Sequence, residues 1–221
     1  EYNVSDIDPA LDGMKIAQIS DLHNKKFGKG QKNLLQKLEK YQPDIIFVTG
    51  DVIDSNHTNV EVALEFLEGA VKIAPTYYVI GNHEMWLDAD TLAELKSGMV
   101  KLGVYYVDNE CLSIPYGETT YNLVGLDVDN LYGGNLDQCM EKVDGDKLSI
   151  LLAHEPQYFN RYCTIGMDLV FTGHAHGGQV RIPGVINGLC APNQGWFPKY
   201  AGGRYEQDGT TMLVSRGLSD Q

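Results

Sequence analysis

Five of the six histidines in this 221-residue chain stand directly after short apolar runs, with carboxylates beside or near them. The segments are Asp21-Leu22-His23, Gly50-Asp51-Val52-Ile53-Asp54, Gly81-Asn82-His83-Glu84, Ala153-His154-Glu155 and Gly173-His174-Ala175-His176. Imidazole is the commonest metal ligand, and carboxylates nearby suit a divalent cation. A mixed set of imidazole, carboxylate and one amide fits Mn, Fe or Zn better than Mg or Ca, which prefer shells of oxygen alone. Seven candidate ligands in these segments exceed what one tetrahedral zinc with an open position uses. Two ions sharing a bridging carboxylate would use them all. Any one of these histidines could instead be a hydrogen-bonded or capping residue; their shared placement argues for a common site.

Several neighbours admit two readings. Asp54 either orients a ligand histidine from behind or caps a turn or helix. Glu84 and Glu155 divide in the same way between supporting the site and lying in solvated turns. His57, in the polar stretch Ser55–Asn59, either overlooks the crevice or is a surface-loop histidine. Gly50, Gly81, Gly173, Gly177 and Gly178 fit sharp turns at crowded strand ends. Ala191–Tyr205 carries aromatics, glycines, Lys199 and Arg204. It forms either a wall of the substrate pocket or a loop whose Trp196, Phe197 and Tyr200 cover a sheet.

These groups need a scaffold that gathers them. Runs rich in β-branched residues predict buried strands at Lys15–Ser20, Ile45–Thr49, Tyr77–Ile80, Leu148–Ala153 and Asp168–Thr172. Apolar residues at helical spacing fall between the early strands: Leu34, Leu35, Leu38 and Tyr41; Val62, Ala63, Phe66, Leu67, Ala70 and Val71; Leu92, Leu95, Met99 and Leu102. This βαβα order predicts a layered α/β fold. Beyond Val104 the pieces shorten to Cys111–Ile114, Tyr121–Val124, Val180–Ile182 and Thr211–Val214, between Gly, Asn, Asp and Pro turns. They predict a second, more antiparallel sheet. In open α/β sheets ligands bind beyond the carboxyl ends of the strands, so residues far apart in sequence converge on one crevice.

Bulk properties narrow the function. The length fits one domain, residues 1–221, and the composition, 43% hydrophobic and 21% charged, is that of a globular protein. A net charge of −13 with 17 scattered basic residues argues against a general nucleic-acid binder. An anionic substrate would therefore draw its positive charge from bound cations. Cys111, Cys139, Cys163 and Cys190 lack CxxC spacing and read as small hydrophobes, with a disulfide open only to an exported protein. No run is long enough to span a bilayer.

The ordered series DLH, GDVID, GNHE, His154 and GHAH resembles the calcineurin-like metallophosphoesterase superfamily, over Lys15 to Val214. The resemblance implies two mixed β-sheets packed as a sandwich between helices. It makes Asp21, His23 and His176 ligands of one divalent ion, Asn82, His154 and His174 ligands of another, and Asp51 the bridge. His83 then faces the substrate, stabilising the transition state or protonating the leaving oxygen. The implied reaction is hydrolysis of a phosphodiester or pyrophosphate bond by a water activated between two cations, most naturally Mn, with Fe or Zn as alternatives. A phosphomonoesterase with the same site, or a non-catalytic scaffold, are the other readings.

GHAHGGQ, FPKYAGGRY and SRGL are similar to a bacterial subgroup of phosphoesterases and UDP-diacylglucosamine hydrolases, whose members often carry an N-terminal membrane segment. That likeness implies a phosphate-containing small-molecule or lipid-linked substrate, and a membrane-associated or exported location, with the cytoplasm as alternative. The start at Glu1 and the stop soon after Leu218 fit an expectation of further chain at both ends.

Overall fold

The computed structural model describes residues 7–107, 109–131, 134–180 and 187–219. The first half is strand and helix in alternation: β1 (Ile16–Ile19), α1 (Lys32–Tyr41), β2 (Ile45–Thr49), α2 (Val60–Ala70), β3 (Thr76–Val79), the one-turn α3 (Asn82–Met85), α4 (Ala89–Leu102) and β4 (Tyr105–Tyr106). The strands lie side by side in chain order as a parallel sheet. Helix starts are fixed locally: Asn59 accepts from Val62 N at 3.1 Å before α2, and Asp88 from Thr91 N at 3.0 Å before α4. Gly103, at φ 81°, closes α4 in the left-handed conformation that a residue with Cβ adopts only at a cost.

The second half holds β5 (Glu110–Tyr116), β6 (Thr119–Gly125), α5 (Gly134–Met140), β7 (Ser149–Leu152), α6 (Phe159–Thr164), β8 (Leu169–Thr172), the short hairpin β9 (Cys190–Ala191) and β10 (Gly195–Trp196), then β11 (Gly203–Gln207) and β12 (Thr210–Val214). Its main sheet runs β11-β12-β8-β7-β6-β5. The pairings β12–β8, β8–β7 and β7–β6 are parallel; only the edge hairpins β5–β6 and β11–β12 are antiparallel. The sheet is thus less antiparallel than the turn-rich sequence predicts. The crossover helices α5 and α6 have seven and six residues, too few to display a helical period. Of the strand expected at Val180–Ile182, residues 181 and 182 lie outside the described residues.

Side-chain alternation explains the layering. Ile45 and Phe47 of β2 point to one face and Ile46 and Val48 to the other. The first face meets Ile150, Leu152, Leu169 and Phe171 of the second sheet, with the Phe47 and Phe171 rings 5.2 Å apart. The second face packs on Phe66, Leu67, Leu95 and Met99 of the helices. On the far side Leu151 and Val170 meet Phe159 and Tyr162. The result is two sheets face to face with helices outside. β1, β2, β3, β7, β8 and β12 all direct their carboxyl ends to one edge of the sandwich.

Candidate metal centre

The loops at that edge are laced together by backbone hydrogen bonds. Asp21 N donates to Gly50 O at 3.1 Å, His23 N to Asp51 O at 3.0 Å and Ser219 N to Asp21 O at 3.0 Å. Asp21, His23, Asp51, His174 and His176 all take left-handed conformations, with φ of 53°, 46°, 53°, 66° and 45°. Each costs about 1 kcal/mol or more relative to an ordinary backbone, and such strain collects at functional sites. Glycine is required where the loops touch: a Cβ on Gly81 would fall 2.2 Å from Asp51 Oδ1, and one on Gly50 would fall 2.6 Å from Gly81 N.

Asp21, His23, Asp51 and His176 each place one ligand atom within 4.8 Å of the others, and Asp51, His154 and His174 do the same. Asp51 belongs to both groups, its Oδ2 lying 3.1 Å from His154 Nε2 and 3.7 Å from His23 Nε2. The Oδ1 of Asn82, at the start of α3, and both ring nitrogens of His23, with Nδ1 of His176, are buried without a hydrogen-bond partner. A buried polar atom left unpaired costs about 1–3 kcal/mol, so these atoms call for a partner that a cation would supply. His154 Nδ1 lies 2.7 Å from the carbonyl of Thr49, which can only accept. Nδ1 therefore carries a proton, and Nε2 is the nitrogen turned toward Asp51 and, at 3.2 Å, Nδ1 of His174, the one a cation would take once its own proton has left. The residues fit a pair of divalent cations.

The electrostatics agree. Burial pushes the Asp21 carboxyl up to about 7, helped by the Asp51 charge and opposed by His154. Asp51 is itself held well below the usual carboxylate range despite its burial, chiefly by His154. Burial alone would lower His154, but the Asp51 carboxylate outweighs it and lifts the ring to about 10. Burial pulls His23 down to about 4 and His174 to about 3, and it lowers His176 as well. These three rings are neutral and offer lone pairs at pH 7.

His83 makes a third such group with His23 and Asp54, its ring edge-on to His23 at 4.5 Å. Its Nδ1 lies 3.1 Å from the Ser55 N–H, a group that can only donate, so the ring proton belongs on Nε2. Asp54 serves two purposes: it accepts from Asn56 N at 2.8 Å, and its Oδ1 lies 3.6 Å from His83 Nδ1. His57 pairs with Asp54 at 3.3 Å but is otherwise a surface side chain.

Glu84 is the residue that sequence reasoning left undecided and the structure explains. Fully buried, it accepts from the N–H groups of Asp51, Val52, Ile53 and Gly81 at 2.7–3.2 Å and from the Tyr78 hydroxyl at 2.8 Å. Burial and the Asp51 charge nonetheless raise its carboxyl. It fixes the loop that presents Asp51. Its place on α3, one turn after a glycine whose N–H it accepts, was the available signal. Glu155 is buried beside His154 and lines the cleft.

Asp51, Asn82, His83, His174 and His176 share a cleft of about 360 Å³ whose banks include Trp86, Pro192 and Asn193. A larger groove of about 670 Å³ follows β1 on its free side, but it is apolar and its described lining contains no histidine. Both readings of Ala191–Tyr205 hold in part: Pro192 and Asn193 form the wall, while Tyr200 is buried against Phe159. Trp196 and Phe197 remain exposed, and Lys199 and Arg204 do not line the cleft.

Two facing sheets with imidazoles and carboxylates converging on one strand-end edge define an α/β sandwich with a candidate metal centre. The sequence profile of calcineurin-like phosphoesterases matches residues 14–178, and the chain belongs to that family. It is 30% identical over 172 residues to an uncharacterized metallophosphoesterase of Campylobacter jejuni, covering 76% of this chain and 45% of that protein. It is 25% identical over 197 residues to a Bos taurus transmembrane protein with metallophosphoesterase domain, covering 81% of this chain and 44% of that protein. The chain thus spans less than half the length of these two relatives. Its fold matches a dimetal phosphatase from Danio rerio with a TM-score of 0.56 at 13% identity, over 92% of this chain and 87% of the other.

Proposed function

We propose that this chain hydrolyses a phosphodiester or pyrophosphate bond using two divalent cations. Asp21, His23 and His176 would hold one, Asn82, His154 and His174 would hold the other, and Asp51 would be shared by both. The observation that carries the reading is Asp51, shared by two ligand groups and fixed by its own N–H donating to the Glu84 carboxylate and by the His83 N–H donating to its Oδ1. Mn, Fe and Zn all suit the mixed nitrogen and oxygen donors, and Mn is the ion proposed.

A bound cation pair would supply Lewis-acid polarisation of phosphoryl oxygens and a lowered pKa for water. The protein's own part is arrangement. Thr49 keeps the His154 proton on Nδ1 and its lone pair inward, and Glu84 locks the Asp51 loop. His83 keeps a proton on Nε2 beside the cleft, from where it donates a hydrogen bond to a phosphoryl or leaving oxygen. Complete transfer of that proton requires a second one at Nδ1, where Ser55 Oγ at 3.1 Å and Asp54 at 3.6 Å stand ready.

The proposed substrate is a phosphate ester, small or lipid-linked, and the proposed location is membrane-associated or exported. The Bos taurus relative's transmembrane description supports the latter. No helix among the described residues is long and apolar enough to cross a membrane.

The test is hydrolysis of bis(p-nitrophenyl) phosphate by metal-stripped protein, with and without added Mn²⁺, beside Asp51→Asn. Metal-dependent turnover that the variant loses is expected. A metal-loaded protein without turnover would overturn the reading in favour of a scaffold. Rates on p-nitrophenyl phosphate, which has the same leaving group, separate diesterase from monoesterase.

A further inference from the structure

Trp86 lines the cleft and is not used by the hydrolytic site. It caps α3 in helical conformation at φ −86° and ψ −4°, three residues beyond His83, so the two side chains share one face of the turn. Their ring centroids are 5.1 Å apart at a tilt of 48°. Trp86 is 66% exposed although Glu84, two residues before it, is fully buried. Three other aromatics, Tyr41, Trp196 and Phe197, are as exposed, but none lines the cleft. An indole standing in solvent beside a proton donor is a ready surface for a flat group.

Charge selects what that group is. The described lining of the cleft contains the carboxylates Asp129 and Glu155 and no Lys or Arg. Glu155 also shares a small hollow with Asn82 and Met85, on the bank from which Trp86 projects. A leaving group ending in a further phosphate would meet like charge there with no side-chain cation to hold it. An uncharged ring bearing hydroxyls would meet hydrogen-bond acceptors and an aromatic face.

We propose that Trp86 and Met85 form a leaving-group subsite, which takes an uncharged alcohol with a flat ring, aryl or nucleoside-like. This rests on the hydrolytic reading given above. The water oxygen bonds to phosphorus, the P–O bond to the alcohol breaks with its electron pair going to that oxygen, and a proton reaches it on the His83 side. The second water proton passes to solvent. Because the leaving oxygen sits at His83, its ring lies over Trp86, whereas the group retained on phosphorus points elsewhere.

Methyl p-nitrophenyl phosphate and bis(p-nitrophenyl) phosphate share a leaving group and differ in the retained one. In the Mn²⁺-loaded protein, Trp86→Ala lowers kcat/KM about tenfold on both, and Trp86→Phe restores most of it. A loss confined to the diaryl ester would put the retained group over Trp86 and overturn the subsite. So would no loss on either, provided Asp51→Asn still abolishes turnover. If the native protein turns over neither ester, the hydrolytic reading falls, and the subsite is judged by binding. The chain has two tryptophans, so Trp196→Phe leaves Trp86 as the reporter. Its emission, corrected for absorbance, is expected to be quenched saturably by bis(p-nitrophenyl) phosphate and unchanged by dimethyl phosphate; absence of quenching rejects the subsite.

Discussion

Phe47 and Asp51 lie four residues apart on one strand and its loop, in opposite regimes. Phe47 sits between the sheets, fully buried against Tyr77 and Phe171, in a layer where side chains alternate regularly. Asp51 is as buried, but among imidazoles and a second carboxylate, on a left-handed backbone. The interior gains from apolar burial; the crevice accumulates strain, unpaired nitrogens and buried charge. The crevice is therefore an arrangement that the interior must stabilise, and its donors suit a divalent cation.

That contrast is broken most directly by exchanging one residue from each regime. Asp51→Asn is expected to lower metal-dependent turnover by about a thousandfold or more, the scale of losing a metal's charge stabilisation. The fold should survive in the metal-free protein: His154 can give up its proton and still donate Nδ1–H to Thr49, leaving no unpaired ion. Phe47→Ala is expected to do the reverse, costing about 3–5 kcal/mol of stability while turnover at low temperature persists. Urea unfolding and initial rates on both variants check the pair. If Asp51→Asn unfolds the chain, the crevice is structural and the contrast fails.

Glu84 sits where the two regimes meet, and Glu84→Gln sharpens the boundary. Its Oε2 accepts from Asp51 N and Gly81 N, so one of its two carboxylate oxygens serves two backbone donors on the ligand loops. An amide nitrogen placed there would face those N–H groups instead of accepting from them. The expected cost is about 2–4 kcal/mol, from two buried donors left unpaired. Bound metal should fall with stability, because the same loop carries Asp51. A variant that keeps its unfolding midpoint but loses metal would make Glu84 a positioning residue alone.

The same contrast governs what the sequence discloses. Interior strands are legible because burial on both faces leaves continuous apolar runs such as Ile45–Thr49, and α1, α2 and α4 are long enough to show a period. The site residues are legible through type and position: histidines and carboxylates directly after those runs, which the fold brings to one edge. The two-residue β4, the six-residue α6 and the parallel order of β6, β7, β8 and β12 are not, since short elements carry no periodicity and pairing is non-local. Glu84 illustrates the remaining limit. Three of its five partners are backbone N–H groups 31 to 33 residues away, and a backbone amide has no letter in a sequence.

The smallest effect concerns protons. In the metal-free protein at pH 7, His154 at about 10 holds its proton and Asp21 at about 7 is half protonated, whereas His23 at about 4 and His174 at about 3 are bare. A cation must displace the first two and finds the others ready. Raising the pH from 6 to 8 removes the Asp21 proton and weakens the competition at His154, so apparent metal affinity rises. The expected slope is about tenfold per pH unit for each proton displaced, with roughly one to two released per protein at pH 7. Stability carries the opposite sign above pH 7: the folded His154 binds a proton that the unfolded chain, at the ordinary histidine value, has lost. Its contribution, full below about 6.5, is lost as pH climbs toward about 10. Mn²⁺ titrations in buffers of different ionisation enthalpy count the protons directly. A count of zero would mean that Asp51 and His154 do not pair as this structure places them, and the buried charge of the crevice would need another partner.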